Sequence, residues 1–299
     1  MATKSRAYRR VSKTMSEKVI PRIILVVMCF LYILPFYWML STAIKGTEEL
    51  RLVPPSLIPG FVTVDGKMTW NGFKAYHFEN YYLATQYIPF FRYMLNSLIL
   101  ASLAVIGAVI SNSLVSYGLA RINWKGRDVL FYIIVGTMFI PFPVIMIALF
   151  DIFAKFKLIN TYVPLSLPYY LGSATWIFMM RQFLMSIPKE ISDAGLIDGA
   201  NEFQIFSHLI LPIMKPAIGV IAIFAAIGSW NDFLGPLIYL QRENVYPLSI
   251  GLQMFRAEHR IEYSLLMAAS TMVVLPIVII FLSFQRFFVE GITMGSVKG

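Results

Sequence analysis

Asp232, in Trp230-Asn231-Asp232-Phe233, is a carboxylate at the edge of a long apolar run, and an acid in such a place is a candidate proton or ion relay. About 20 residues of helix counted from Pro212, at ~1.5 Å each, would carry it to the far boundary of an apolar layer. Two readings stand: a residue at the water interface or a helix terminus, or one lining a path with Trp230 and Asn231. Asn112 and Ser116 lie four apart on one helix face, with Ser113 nearby. Polar groups among apolar ones act as interhelical glue or as pathway ligands. The other reactive types are scattered. His77, His208 and His259 fall in three polar segments, with no H-E-x-x-H spacing to hold zinc. No G-x-S-x-G elbow occurs, and no serine in an apolar run has a histidine there as its base. Without a G-x-x-x-x-G-K-[ST] loop the chain has no Walker-type ATP site, so energy from ATP would have to come through a partner. Cys29 is the single cysteine, which rules out an intrachain disulfide and a thiolate metal cluster. No catalytic residue, metal or cofactor is expected.

The elements that must carry these residues follow from hydropathy. Of 299 residues, 58% are hydrophobic and 14% charged, and mean hydropathy is +0.69. A soluble domain usually holds roughly 25% charge. So much apolar surface can face lipid but cannot be hidden in one core of this size. An all-α membrane protein with six transmembrane helices is expected, each window supplying the ~20 residues that cross ~30 Å of hydrocarbon. The first, 23–44, follows a polar tail, 1–22. Its apolar stretch exceeds a signal-peptide h-region and no cleavage pattern follows, so it reads as an uncleaved anchor. The second lies within Tyr93–Ala120. The third runs from Val129 to Phe150 with Pro141 and Pro143 as break points. The fourth lies within Leu158–Met180, its regular helix starting near Leu167. The fifth runs from Pro212 or Pro216 to Trp230, and the sixth from about Tyr263 to Gln285. Domain bounds follow: a loop at 45–92, a core at 93–287 and a tail at 288–299. Tyr37, Trp38, Phe90 and Phe91 suit an interfacial aromatic belt.

An even number of spans puts both termini on one side. Lys4, Arg6, Arg9, Arg10, Lys13, Lys18 and Arg22 crowd the N-terminal tail, and basic residues resist translocation. A cytoplasmic tail places 15 of the 25 basic residues inside. The net charge of +9 is then a topology signal, and nucleic acid is not an expected partner because no basic extramembrane domain exists.

On this topology the loop 181–212 is cytoplasmic. It contains Ile187-Pro188-Lys189-Glu190-Ile191-Ser192-Asp193-Ala194-Gly195-Leu196-Ile197-Asp198-Gly199-Ala200. Pro188 suits a first helical position, while Glu190 and Asp193 favour the positive helix end. A helix from Pro188 to Asp198 would stop at Gly199 in a left-handed conformation, and a second would run from Asn201 through Ile210. Small residues permit close docking on a partner, although an ordinary surface loop fits the same composition.

Asp193-Ala194-Gly195, then three residues to Gly199, with Ile210-Leu211-Pro212 further on, resembles the EAA loop of the membrane subunits of bacterial ABC importers. Asp193 stands where that family prefers Glu, Ala194 matches, Gly195 stands where Ala is usual, and Gly199 matches the loop glycine. Trp230 to Leu237 and the ending from Gln285 to Gly299 resemble the carbohydrate branch, the smaller permease of maltose-type importers. The resemblance implies a type I ABC importer permease fold in a bacterial cytoplasmic membrane. It also implies a second homologous permease, two cytoplasmic ATP-binding subunits, an extracytoplasmic solute-binding protein and a carbohydrate substrate. Glu190, Asp193, Ala194, Gly195, Asp198 and Gly199 would couple to the ATPase. Asn112, Ser116, Trp230, Asn231 and Asp232 are candidates for the pathway. The external loop Gln241–Glu262, with Arg256, Glu258, Arg260 and Glu262, would meet the binding protein or form a solvated charged rim. A proton-coupled secondary transporter, a permease for a non-sugar solute and a non-transport scaffold are the rival readings.

Overall fold

The computed structural model describes residues 19–64, 67–257 and 262–296. The tail basic residues from Lys4 to Lys18, residues 297–299, and Glu258, His259 and Arg260 therefore lie outside the described residues.

Helix α1, Ile20–Ala43, starts with Pro21 in its first turn, where a missing N–H costs no intrahelical bond. Its most apolar window is 0% buried. The segment 45–92, expected as a loop, holds a two-stranded antiparallel hairpin, β1 (Phe61–Val64) and β2 (Lys67–Trp70), with Phe61 opposite Trp70. Helix α2, Glu79–Tyr87, follows. Asn80 Nδ2 donates to the carbonyls of Ala43 and Lys45 at 2.9 and 3.1 Å. It thereby satisfies acceptors that the end of α1 leaves open.

Helix α3, Phe90–Ala120, begins ahead of the expected Tyr93. Helices α4 (Arg127–Gly136) and α5 (Phe142–Lys155) form the third apolar window. The run 127–139 meets α5 at a bend of 101°. Ile140 is extended there, as the ring of the following Pro141 favours, and Pro141, the N-cap of α5, is extended as well. The fourth window departs from expectation. It divides into α6 (Val163–Tyr170) and α7 (Ala174–Ser186), of 8 and 13 residues, each too short to cross ~30 Å. Its first helix starts at Val163 with Pro164 in the first turn, not near Leu167, and the break holds Gly172 at φ +84°.

Helix α8 is Glu190–Ile197. Helix α9, Glu202–Ile213, meets α10, Lys215–Asn231, at a bend of 77°. Helices α11 (Leu234–Tyr239), α12 (Leu248–Ala257) and α13 (Tyr263–Ser296) complete the chain. The sixth helix thus continues past Gln285: Arg286 and Glu290 end the apolar stretch, but charge alone does not stop a helix. In α1, α3 and Tyr263–Ser283 the described residues hold three helices long and apolar enough to span a membrane, or up to five if each bent pair is one span.

Contacts divide the chain into two units, one of residues up to Tyr87 with Phe255–Met272, the other of Ile88–Met254 with residues from Val273 on. In the second, α10 packs along α3, and α6 and α7 lie on α3 as well. A core of Ala108, Tyr117, Met180, Leu184, Ile205, Ile210, Met214 and Ile221 joins α3, α7, α9 and α10.

Candidate functional site

The loop 181–212 forms a helical elbow whose corner is built by local rules. Glu190 and Asp193 occupy the first turn of α8, where the helix dipole favours acids. The helix starts at Glu190 with Lys189 as its N-cap, two residues inside the expected Pro188. At its end the Gly199 N–H donates to the Leu196 carbonyl at 3.1 Å and the Ala200 N–H to the Gly195 carbonyl at 3.0 Å. This pair is a Schellman closure, and it requires the left-handed φ of +82° that Gly199 adopts. Asn201 then opens α9 with a capping box. The Gln204 N–H donates to Asn201 Oδ1, and the Asn201 N–H to Gln204 Oε1, both at 2.9 Å.

The expected regular second helix is π-helical over Ile205–Ile210. Leu211 N–H reaches the Phe206 carbonyl, five residues back, and Pro212 has no N–H with which to restore the α register. Gly195 faces this segment. A Cβ there would stand 2.9 Å from Leu209 Cδ1 and 3.1 Å from Ile205 Cγ1, so the glycine lets α8 lie against α9. A Cβ at Gly199 would meet nothing within 4 Å, so that glycine serves the backbone alone.

Of the six elbow residues singled out by sequence, Gly195 is buried, whereas Glu190, Asp193, Ala194, Asp198 and Gly199 are exposed. Leu196, Ile197 and Phe203 are exposed beside them by 51, 86 and 71%. The elbow thus exposes apolar and acidic side chains side by side, with Glu190, Asp193, Ala194 and Ile197 on one face of α8.

Three side chains that sequence reasoning did not assign to the site fasten the elbow to the span. Arg121, just past α3, donates from Nη2 to the carbonyls of Leu184 and Ile187, both at 2.7 Å, and from Nη1 to that of Pro188 at 3.3 Å. These carbonyls lie at the C-terminal end of α7, where a cation is favoured. Burial pulls the Arg121 pKa below the ordinary guanidinium range, and Tyr117, Asp193 and Glu190 oppose that shift. Tyr117 donates its hydroxyl proton to Glu202 Oε2 at 2.7 Å. Arg181 Nε donates to the Leu119 carbonyl at 3.1 Å, its Nη2 to Asp128 Oδ1 at 3.1 Å, and its guanidinium carbon stands 4.0 Å from the centre of the Phe131 ring. In the sequence Arg121 and Arg181 registered only as charges flanking apolar runs.

The pathway candidates separate. Asn112 and Ser116 are 0% exposed. Asn112 Nδ2 donates to the Ala108 carbonyl at 2.6 Å, and its Oδ1 accepts from Ser173 N–H at 2.9 Å. Ser116 Oγ donates to the Ile177 carbonyl at 3.2 Å. These bonds support packing, the first of the two roles weighed for them. Asp232 follows α10 and its Oδ1 accepts from Gly235 N–H at 3.0 Å, as a helix-terminus residue would. Asn231 is exposed. Trp230 is 4% exposed, its Nε1 has no hydrogen-bond partner among the described residues, and it lines a cavity of about 380 Å³. Ala101, Val105, Ile223 and Ile277 line the same space, which is apolar apart from Ser102.

A helical component with several apolar helices long enough to cross a membrane, and an elbow set between two of its apolar segments, is the class these features define. Residues 112–293 match the family described as binding-protein-dependent transport system inner membrane component, and the chain belongs to it. It is 33% identical over 270 residues to the arabinooligosaccharides transport system permease protein AraQ of Bacillus subtilis (strain 168), covering 90% of this chain and 92% of that one. It is 30% identical over 295 residues to the trehalose/maltose transport system permease protein MalG of Thermococcus litoralis, covering 95% and 100%. Its fold is similar to a chain in the crystal structure of a bacterial ABC transporter involved in the import of the acidic polysaccharide alginate. The TM-score is 0.76 at 21% identity, over 92% of this chain and 98% of that chain.

Proposed function

We propose that this chain is one of two related permease subunits of an ATP-driven importer for an oligosaccharide, and that the elbow is where ATP-binding subunits engage it. The observation that carries the reading is the exposed face of α8. Ala194, Leu196 and Ile197 face water beside Glu190, Asp193 and Asp198, while Gly195 on the other side seats the helix on α9. A helix face that sets apolar and acidic side chains side by side suits a groove on a partner. The names of the relatives support a carbohydrate as cargo. In this reading α6 and α7 together make a sixth, broken span, both termini are cytoplasmic, and a solute-binding protein delivers the sugar from outside. ATP binding closes the two ATPase subunits, which move the elbow, and the spans switch between inward-facing and outward-facing states. The chain itself contributes no catalytic group. Pathway roles for Asn112, Ser116, Trp230, Asn231 and Asp232 belong to the same proposal. Trp230, which lines a cavity, is the best supported of them, and the first two are best supported as packing residues.

The test is to purify the chain from its native membrane in mild detergent and identify what accompanies it, with and without Gly199→Val. A left-handed φ is costly for a β-branched residue, so the variant should lose the ATPase while keeping the second permease. Recovery of the unaltered chain alone, with uptake insensitive to ATP and abolished by dissipating the proton gradient, would replace this reading with a proton-coupled transporter.

A further inference from the structure

The end of α10 away from the elbow gathers hydrogen-bonding groups that do not serve one another. Tyr169 of α6 reaches across to Gly228, where a Cβ would stand 3.8 Å from its Oη. One turn beyond Gly228 comes Asp232, and one turn before Tyr169 comes Leu165. A Cβ at Gly235 would meet both Asp232 Oδ2 and Leu165 Cδ2, the latter at 2.9 Å. Leu165 and Tyr169 on α6 therefore face Asp232 and Gly228 on α10. The Asp232 charge acts on the Tyr169 hydroxyl, yet that half-buried hydroxyl has no hydrogen-bond partner among the described residues. The Asp232 carboxylate is half-buried and is served by the loop N–H groups of Gly235 and Leu234. With about four acceptor sites on a carboxylate, about half stay open. No lysine or arginine among the described residues pairs with it. Asn231 beside it is exposed.

Capping the turn before α11 accounts for one oxygen of Asp232, and an asparagine would cap it equally well. It accounts neither for the charge nor for the Tyr169 hydroxyl. An open carboxylate and an open hydroxyl on facing helices fit a polyol, whose hydroxyls donate to the one and accept from the other. A second anion is disfavoured, because no cation offsets Asp232. A metal ion would want more ligands, and no group of three acids, histidines or cysteines gathers among the described residues. Helix α10 has 17 residues, about 26 Å at ~1.5 Å each, against ~30 Å of hydrocarbon. With Lys215 at the elbow, Asp232 thus lies near the opposite boundary.

We infer that Asp232 and Tyr169, with Asn231 at the rim, form a subsite for an uncharged saccharide at the mouth of the pathway opposite the elbow, and that Asp232 turns acidic sugars away. This rests on the importer reading and adds to it a residue, Tyr169, and a charge preference for the cargo.

The test uses the full chain with its copurified permease and ATPase in nanodiscs, without the solute-binding protein, so that no other site selects the sugar. Saturation-transfer difference NMR is recorded with maltotriose, raffinose and arabinotriose, and with trigalacturonate as the acidic probe. Asp232→Asn keeps the oxygen that accepts from Gly235 N–H, and Tyr169→Phe keeps the ring, so both variants should assemble. The expected result is that the neutral trisaccharides bind, about 3- to 10-fold more weakly in either variant, and that trigalacturonate binds only to the Asp232→Asn complex. Equal neutral binding by all three proteins, or none by the unaltered complex, would overturn the inference and leave the importer reading standing. So would trigalacturonate binding equally to the unaltered and Asp232→Asn complexes. Loss of the second permease from either variant would overturn it in favour of a contact between permeases. A preparation holding neither a second permease nor an ATPase would overturn the importer reading itself, before any sugar is added.

Discussion

The Tyr117 hydroxyl, near the end of α3, donates to the Glu202 carboxylate at 2.7 Å, joining a span to the second helix of the elbow across 85 positions of sequence. The bond is charge-assisted, a class worth about 1.5–3 kcal/mol. A double-mutant cycle of Tyr117→Phe and Glu202→Gln, read by thermal unfolding in detergent, should give a coupling of about 1–2 kcal/mol. Additive single effects would mean that the pair does not hold the elbow.

Arg121 serves three carbonyls at the start of the elbow. Arg121→Met should leave the partly buried Ile187 carbonyl without its donor, while the Leu184 carbonyl keeps the Ile187 N–H, and cost about 1–3 kcal/mol. Arg121→Lys should recover only part of this, because one ammonium cannot reproduce the fork of a guanidinium. Unfolding in urea, monitored by tryptophan fluorescence, ranks the three proteins.

The two elbow glycines should respond to different properties of a replacement, its size at Gly195 and its backbone preference at Gly199. At Gly195 the nearest neighbour is the end of a flexible side chain, Leu209 Cδ1, so Gly195→Ala should cost no more than about 1 kcal/mol, whereas Gly195→Leu should cost about 1–3 kcal/mol by overpacking against Leu209 and the buried Ile205. At Gly199 space is free and φ is the constraint. Gly199→Asn should therefore retain the ATPase that Gly199→Val loses in copurification.

Acid should loosen the junction of α1 and α2 through Glu79. Its pKa is lowered by its own backbone N–H at the start of α2, then by His77, whose Nδ1 lies 2.7 Å from Oε1. A carboxylate held lower in the folded state contributes stability that is complete above its unfolded-state pKa and is lost as pH falls through the folded value. As pH falls from about 5 to about 3, Glu79→Gln should flatten the fall in melting temperature. An unchanged slope would show that the exposed pair contributes nothing.

The sequence made the elbow legible because its signals are local: an acid-rich first turn and a glycine stop at Gly199. The apolar windows were legible too, since a long charge-free run has few alternatives. The break at Gly172 was hidden inside such a run, because hydropathy does not report where a backbone turns left-handed. Pro168 and Gly172 were the available signals. The π turns at Ile205–Ile210 had no composition of their own. The roles of Tyr117 and Arg121 depend on partners tens of residues away, so only the fold revealed them.

Helix α3 has 31 residues, about 46 Å from end to end. Near its start Asn96 Nδ2 donates to the carbonyls of Asn244 and Tyr246 at 3.0 and 2.9 Å, and Ser97 Oγ accepts from Leu248 N–H at 2.9 Å. At its finish Tyr117 and Arg121 grip the elbow. A single unbroken rod is thus bolted to a different loop at each tip, and it contains no proline at which to fold. A push on one loop arrives at the other with only the compliance of a continuous helix between them.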